Sequence, residues 1–226
     1  MRISRTNLLS LALVIASFAM TAALYSRLPH WVPTHWNARG VADGFMRKPW
    51  GPFVSPLVMA GTYLLLMVIP WISPRGYRVE KFQSVFEIIQ MTILAFLFLV
   101  TVLVLLAGMG VAVPMDRAIY AGMGLLFIVL GNFMGKFTKN FFVGIRTPWT
   151  LASDEVWLRT HRLGGKLFVL AGAGLLVSAL LGGGQMPLLL AVAVAGGIPV
   201  VYSYLLYRRI EGFNNGPSED TSHSSV

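Results

Sequence analysis

Residues 85–107 read VFEIIQMTILAFLFLVTVLVLLA, and this stretch decides the class of fold. It carries a single charged side chain, Glu87, close to its start. A helix needs about 20 apolar residues to cross the hydrocarbon core of a bilayer. The stretch is therefore predicted to be a membrane-spanning helix.

Five further stretches meet the same requirement and lie on both sides of this one in the chain. They are Leu8–Tyr25, Pro52–Trp71, Ala118–Met134, Leu167–Leu181 and Met186–Tyr207. The fifth of the six in chain order, 167–181, is the shortest. The sequence predicts an all-α membrane protein, a bundle of about six transmembrane helices.

The composition supports a membrane protein and excludes some other classes. Of the 226 residues, 56% are hydrophobic and 12% are charged, whereas a soluble domain carries about 25% charged residues. The net charge of +9 is scattered between apolar runs, which favours contact with anionic lipids over direct nucleic-acid binding. There is no cysteine, so disulfides and thiolate metal sites are excluded.

The first apolar stretch also has features of a secretory signal peptide, because Arg2 and Arg5 precede it. Its apolar run continues to Tyr25, longer than a usual signal core, so a retained helix is favoured. With the N-terminus inside, 13 of the 18 Lys and Arg residues fall on inner segments. The positive-inside rule therefore predicts that both ends lie in the cytoplasm.

Two long connections divide the chain, and their predicted sides give them the names used below. The outer loop is residues 27–51, within an N-terminal part formed by residues 1–72. The inner loop is residues 136–165, within a membrane domain formed by residues 73–211. Residues 212–226 are polar and are predicted to be a disordered tail.

The outer loop is rich in proline and tryptophan and is expected to be an ordered lid on the outer face. His30 and His35 offer metal-binding chemistry together with Asp43. An alternative interpretation is an intramembrane or metal-dependent enzyme that uses His30, His35 and His161. Pro33 interrupts the helix that would align the two outer histidines. Hydrogen-bonding histidines are favoured, and no metal, cofactor or catalytic residue is predicted.

The inner loop is expected to contain one short helix lying along the cytoplasmic interface. Because Pro148 disfavours helical geometry in the residue before it, the segment 146–149 should be extended. Ser153 suits the N-cap of a helix over 154–163, which should stop at Gly164-Gly165. On that helix Glu155 and Arg159 have the spacing of an ion pair.

Small residues in the spans predict close approach of helices. The patterns are Gly131-x-x-x-Gly135 and Ala171-Gly172-Ala173-Gly174. They indicate a bundle, and they would also suit a homo-oligomer.

Transport through the bundle is the alternative from a different functional class. The centres of the spans hold no charged or histidine side chain, which argues against a proton-coupled transporter. The best polar candidates for a solute or lipid pathway are Asn132, Thr92 and Thr101.

Two groups of residues resemble the SdpI family, bacterial membrane proteins named after an immunity protein against a secreted killing peptide. The inner group is Asn132, Lys139, Asn140, Gly144, Ile145, Arg146, Thr147, Pro148, Trp149, Thr150, Glu155, Val156, Trp157, Thr160, His161, Arg162, Leu163, Gly164, Gly165 and Lys166. The outer group, similar to a small uncharacterised domain that often precedes the inner signature, is Leu28, Pro29, Val32, Pro33, His35, Trp36, Asn37, Gly40, Asp43, Gly44 and Lys48.

The resemblance implies a non-enzymatic protein of the bacterial plasma membrane that gives immunity to a peptide toxin. It also implies signalling, in which the inner face captures a transcriptional repressor while toxin is present outside. The loop around His35 and Trp36 is then the expected toxin contact. Arg146, Trp149, Trp157, His161 and Arg162 are expected to form the inner docking or switch surface.

Overall fold

The computed structural model describes residues 4–37, 39–77, 79–182 and 185–212, so all but the first residue of the predicted tail lies outside the described residues. Two β-strands and eight α-helices form within these ranges. The strands are β1 (Trp31–Trp36) and β2 (Ala42–Arg47). The helices are α1 (Arg5–Leu24), α2 (Val54–Ile72), α3 (Gln83–Gly108), α4 (Met115–Met134), α5 (Pro148–Ala152), α6 (Asp154–Leu181), α7 (Gln185–Val192) and α8 (Ile198–Ile210).

Six helical segments within the described ranges are long and apolar enough to cross a membrane, which confirms the predicted bundle. They are α1, α2, α3, α4, α6 and the combined α7–α8, which are joined by a π-helical stretch over Ala193–Gly197. Helix α3 contacts α1, α2 and α4, while α6 contacts α4, α5 and the final helices.

The apolar side chains of the bundle point both inwards and outwards, as expected for a chain solvated by lipid. Inside, Val14, Met59 and Leu94 join α1, α2 and α3 in one buried cluster. Outside, Leu180 and Leu181 of α6 are more than 80% exposed. Such a surface suits hydrocarbon and not water.

The predicted interfacial helix does not exist as a separate element, so this part of the prediction was wrong. Helix α6 continues through Gly164 and Gly165, and with 28 residues it is the longest spanning helix rather than the shortest. The glycines are needed for packing instead: a Cβ on Gly131 would lie 2.6 Å from the carbonyl oxygen of Gly165. Side chains there would force α4 and α6 apart.

The predicted close approach is confirmed for one glycine in each of the two small-residue patterns, Gly131 in the first and Gly172 in the second. Besides Gly131, Gly172 is in tight contact, because a Cβ on it would lie 2.6 Å from the carbonyl oxygen of Gly124. Gly174 has no such neighbour within 4 Å, and a Cβ on Gly135 would meet only the Arg162 side chain at 3.8 Å. The tight contacts join α4 and α6 of the same chain.

The outer loop contains an antiparallel hairpin of β1 and β2, which the sequence analysis did not predict. Val32 of β1 is fully buried in a cluster with Leu28, Val104 and Leu105. The ammonium group of Lys48 donates to the carbonyl oxygens of Tyr25 and Leu28, each at 2.7 Å. The hairpin is therefore anchored to the ends of α1 and α3.

Candidate functional site

The inner loop is organised around His161, whose side chain is 1% exposed. Its Nε2 lies 3.0 Å from the backbone nitrogen of Ile145, and its Nδ1 lies 2.8 Å from the carbonyl oxygen of Trp157. A backbone N–H can only donate and a carbonyl can only accept. The ring is therefore a neutral imidazole with its proton on Nδ1, and both nitrogens are occupied.

Gly144 of the inner loop must be glycine for two separate reasons, its backbone conformation and its contact with His161. Its φ of +108° is a conformation that other residues adopt only at a cost, and a Cβ there would collide with Nε2 of His161. The backbone can reach the imidazole only because this side chain is missing.

Trp157 ties the end of α4 to the start of α6. Its indole N–H donates to the carbonyl oxygen of Phe137 at 2.7 Å. Its ring stacks on His161 with centroids 4.0 Å apart, and Phe137 meets the imidazole edge-on at 6.1 Å. Three aromatic side chains thus close the cluster against α6.

Asn140 shapes the tip of the inner loop from a fully buried position. Its amide nitrogen donates to the carbonyl oxygens of Thr138 and Val143. Its carbonyl oxygen accepts from the backbone N–H groups of Phe142 and Val143. These four bonds replace the secondary-structure ladder that this segment lacks.

The inner loop is also tied to the last helix of the bundle. Thr147 and Thr150 form a capping box on α5, and the Thr147 hydroxyl lies 2.9 Å from that of Ser203 in α8. Trp149 packs edge-on against Tyr204 with centroids 5.0 Å apart. Thr147 is extended as predicted, but the helix begins at Pro148, because proline suits the first helical position.

Charged side chains cover the outside of this cluster. The predicted Ser153 N-cap and the Glu155–Arg159 ion pair are both confirmed. Lys139 pairs with Asp154 at 2.6 Å, and Arg146 donates to the carbonyl oxygen of Phe141 at 2.6 Å.

The predicted inner-site residues fall into three groups by exposure. The buried ones are Asn140, Thr147, Trp157, Thr160, His161, Gly164 and Gly165. The half-buried ones are Lys139 and Trp149, and the exposed ones are Asn132, Arg146, Pro148, Glu155, Arg162 and Lys166. Of the five residues predicted to form the docking surface, Trp157 and His161 are therefore buried beneath it, and Arg146 and Arg162 are exposed.

The polar residues considered for a transport pathway do not come together. Asn132 is exposed and donates to the carbonyl oxygen of Ile128 in its own helix. Thr92 likewise bonds the carbonyl oxygen of Ile88. Thr101 is buried, and its hydroxyl lies 2.7 Å from that of Ser55.

At the other end of the bundle a cavity of about 470 Å³ lies between the hairpin and α2, α3 and α4, a size typical of small-ligand sites. Its apolar wall includes Val54, Val58, Leu97, Val100, Val104 and Ile119. Its polar lining includes His35, Asn37, Ser55, Asp116 and Tyr120. The sequence analysis missed this cavity, because its walls come from elements far apart in the chain.

The predicted outer-loop residues have different positions relative to this cavity. His35, Trp36 and Asn37 line it. Pro33 is paired with Phe45 in the strand ladder, and Lys48 is held by the carbonyls described above.

The outer histidines are engaged by neighbouring charged side chains. The imidazole of His35 pairs with Asp43, and the Nε2 of His30 accepts from Arg47 at 2.6 Å. The described parts of the chain hold no group of three or more His, Asp or Glu that could bind a metal ion.

Comparison with known proteins supports both parts of the resemblance. The SdpI/YfhL protein family model matches residues 136–203, and a domain of unknown function, DUF1648, matches residues 12–60. The chain is 29% identical over 210 residues to the protein named Immunity protein SdpI of Bacillus subtilis (strain 168). That match covers 92% of this chain and 99% of the relative. No solved structure matches significantly.

Proposed function

We propose that this multi-pass membrane protein, whose residues 136–203 match the SdpI/YfhL protein family, is an immunity protein protecting its cell from a secreted antibacterial peptide. The observation that carries this proposal is the similarity to an immunity protein over 92% of the chain. The match spans both the hairpin and the inner loop, so the two regions with the most elaborate side-chain chemistry lie within it.

The proposed orientation has both chain ends and the inner loop in the cytoplasm of a bacterium, with the hairpin outside. It is supported by the uneven distribution of Lys and Arg, since basic residues are enriched on cytoplasmic segments. Reporter fusions at Gly212 and at the hairpin turn test the orientation. A periplasmic or extracellular signal from Gly212 would contradict it.

In the proposed mechanism the toxin meets the outer face, around the cavity beside His35 and Trp36. The inner face offers Arg146 and Arg162 as exposed cations, with half-buried Trp149 between the loop and α8. A repressor whose surface combines acidic side chains with an apolar pocket for an aromatic ring would complement these side chains. No step in this mechanism requires bond breaking, so the protein is not proposed to be an enzyme.

The immunity role is tested by deleting the gene in its native host and growing the mutant together with the parent strain. The mutant should lose viability relative to the parent, as counted by colonies, and a plasmid copy should restore it. Equal survival of mutant and parent under conditions of toxin secretion would remove the proposal.

The inner surface is tested with Arg146→Ala and Arg162→Ala, because both side chains are exposed. Each variant should reach normal membrane levels and still protect the cell. Each should, however, weaken recruitment of a repressor to the membrane fraction. Unchanged recruitment in the double variant would leave these cations as lipid-headgroup contacts only.

A further inference from the structure

The cavity behind the hairpin has a wall suited to apolar groups. Seven of the seventeen lining residues are aliphatic, and the Ser55 hydroxyl is already engaged by Thr101 at 2.7 Å. A polar group entering deep into the cavity would lose water without finding a free partner on this wall. The wall therefore favours aliphatic or aromatic groups.

Asp116 introduces a negative charge into the same cavity. It is half-buried in the first turn of α4, next to the hairpin turn at Gly40. The positive end of the helix dipole explains why a carboxylate is tolerated there. Among the described residues, no Lys, Arg or His nitrogen lies within 4.0 Å of its carboxylate oxygens.

Three of the other charged groups around the hairpin are already satisfied, whereas Arg39, next to Gly40, and Arg117, next to Asp116, are exposed. His35 pairs with Asp43, Arg47 pairs with His30, and Lys48 is held by two carbonyl oxygens. Of the two ionisable side chains just discussed that line the cavity, His35 pairs with Asp43, so the Asp116 carboxylate is the group available to a ligand. A cation placed against it would be attracted more strongly than in water, because one side of the site is apolar.

We infer that this cavity binds a segment of a peptide that combines apolar side chains with one cationic group, either an amine or a guanidinium, held by Asp116. The inference rests on the proposed function, which supplies a secreted peptide as the occupant. An anionic phospholipid fits the apolar wall, but its phosphate would be repelled by the carboxylate, and phosphatidylethanolamine, whose headgroup carries an amine, is tested below.

The hairpin itself provides a further reason for a peptide. Each of its two strands pairs with only one neighbour, so the far edge of each strand has no ladder partner in this sheet. Trp31 of β1 and Phe45 of β2 are 58% and 54% exposed, and Trp50, shortly after β2, is 67% exposed. A peptide backbone can add to such an edge while its side chains use the aromatic surface, which a lipid cannot do.

The absence of cysteine in the sequence allows a direct test with the full chain in neutral detergent. Ser55→Cys places a single thiol in the cavity, and its rate of alkylation by a maleimide reports occupancy. The probes are a short acetylated, amidated leucine–alanine peptide with one lysine, and the same peptide with glutamine in its place. We expect the lysine peptide to protect the thiol about tenfold better than the glutamine peptide, the effect of one charge-assisted hydrogen bond.

Variants at two carboxylates decide whether Asp116 is responsible. Asp116→Asn should abolish the difference between the probes, while Asp116→Glu should keep it. Glu87→Gln is the matched control, because Glu87 lies near the start of α3 and outside the cavity lining, and it should keep the difference. Equal protection by both peptides in the unaltered background, protection by phosphatidylglycerol that survives Asp116→Asn, or protection by phosphatidylethanolamine that Asp116→Asn abolishes overturns the inference.

Survival assays separate the failure of this inference from the failure of the proposed function. Cells carrying Asp116→Asn should become sensitive, while cells carrying Glu87→Gln stay protected. If Asp116→Asn protects as well as the unaltered chain, the cavity assignment is wrong but immunity stands. If the unaltered chain does not protect, the immunity proposal itself fails.

Discussion

The inner loop and the outer cavity differ in how completely their polar groups and their space are filled by the chain itself. In the inner loop the buried polar groups of Asn140, Thr147 and His161 have partners within the chain, and Gly144 leaves no spare space. The outer cavity leaves about 470 Å³ open and places Asp116 on its wall. The first arrangement fixes one shape, whereas the second can accept something from outside. Substitutions should therefore damage folding at the inner loop and binding at the cavity.

The sharpest way to break this contrast is Gly144→Val. Left-handed backbone costs about 1–2 kcal/mol for a residue with a side chain, and overpacking against His161 adds about 1–3 kcal/mol. We expect a loss of about 2–5 kcal/mol in the free energy of unfolding, measured by denaturing-detergent titration. Gly76→Val is the control: its φ is +91°, but no atom lies within 4 Å of an added Cβ. Equal losses for both variants would show that the contact with His161 is unimportant.

The next effect concerns the two hydrogen bonds of the His161 imidazole. His161→Phe keeps an aromatic ring on Trp157 but leaves the N–H of Ile145 without its acceptor. A buried unpaired donor costs about 1–3 kcal/mol. His35→Phe, in the exposed outer loop, should change the unfolding free energy by less. The contrast between the two regions fails if His35→Phe is the more destabilising variant in the same titration.

A smaller effect is expected from Trp157→Phe, which keeps apolar volume and removes the N–H that bonds Phe137. The expected loss is about 1–2 kcal/mol, since one hydrogen bond and part of the ring are removed. Trp31→Phe serves as the comparison, because Trp31 is 58% exposed. Thermal stability followed by gel filtration should fall for the buried position and stay nearly constant for the exposed one.

The smallest effect on stability is expected at the outer ion pair. Asp43→Asn removes the charge that His35 faces on an exposed part of the hairpin. Exposed pairs contribute about 0–1 kcal/mol, so the melting temperature should hardly move. A large drop would show that the hairpin depends on this pair for its fold, and the outer loop would then resemble the inner one.

The sequence predicted the spanning helices well because the signal for them is local. Runs such as 85–107 are apolar over their whole length, and neither packing nor partner choice is needed to interpret them. The Ser153 cap was equally local, and the structure confirms it. The predicted helix end at Gly164-Gly165 was wrong, because two glycines are equally typical of a helix end and of a tight contact between helices. Only the position of Gly131 on α4 decides between the two.

The strands and the cavity were missed for different reasons. Asn37, which accepts from the N–H groups of Arg39 and Val41, followed by Gly40 at φ +73°, is a turn signal that could have suggested the hairpin. The prolines in the loop obscured that signal. The cavity has no local signal at all, because Asp116 faces it only after α4 has packed beneath the hairpin turn.

The two glycine contacts between α4 and α6 have a mechanical consequence. At Gly124–Gly172 and at Gly131–Gly165 a carbonyl oxygen of one backbone lies where a side chain of the other would stand. Neither helix can slide along its neighbour without first separating from it, so the pair behaves as one strut about 30 Å long. Met115 at the outer end of the strut borders the cavity, and Trp157 belongs to its inner end. A tilt of this strut about its middle would displace both ends together, in opposite directions.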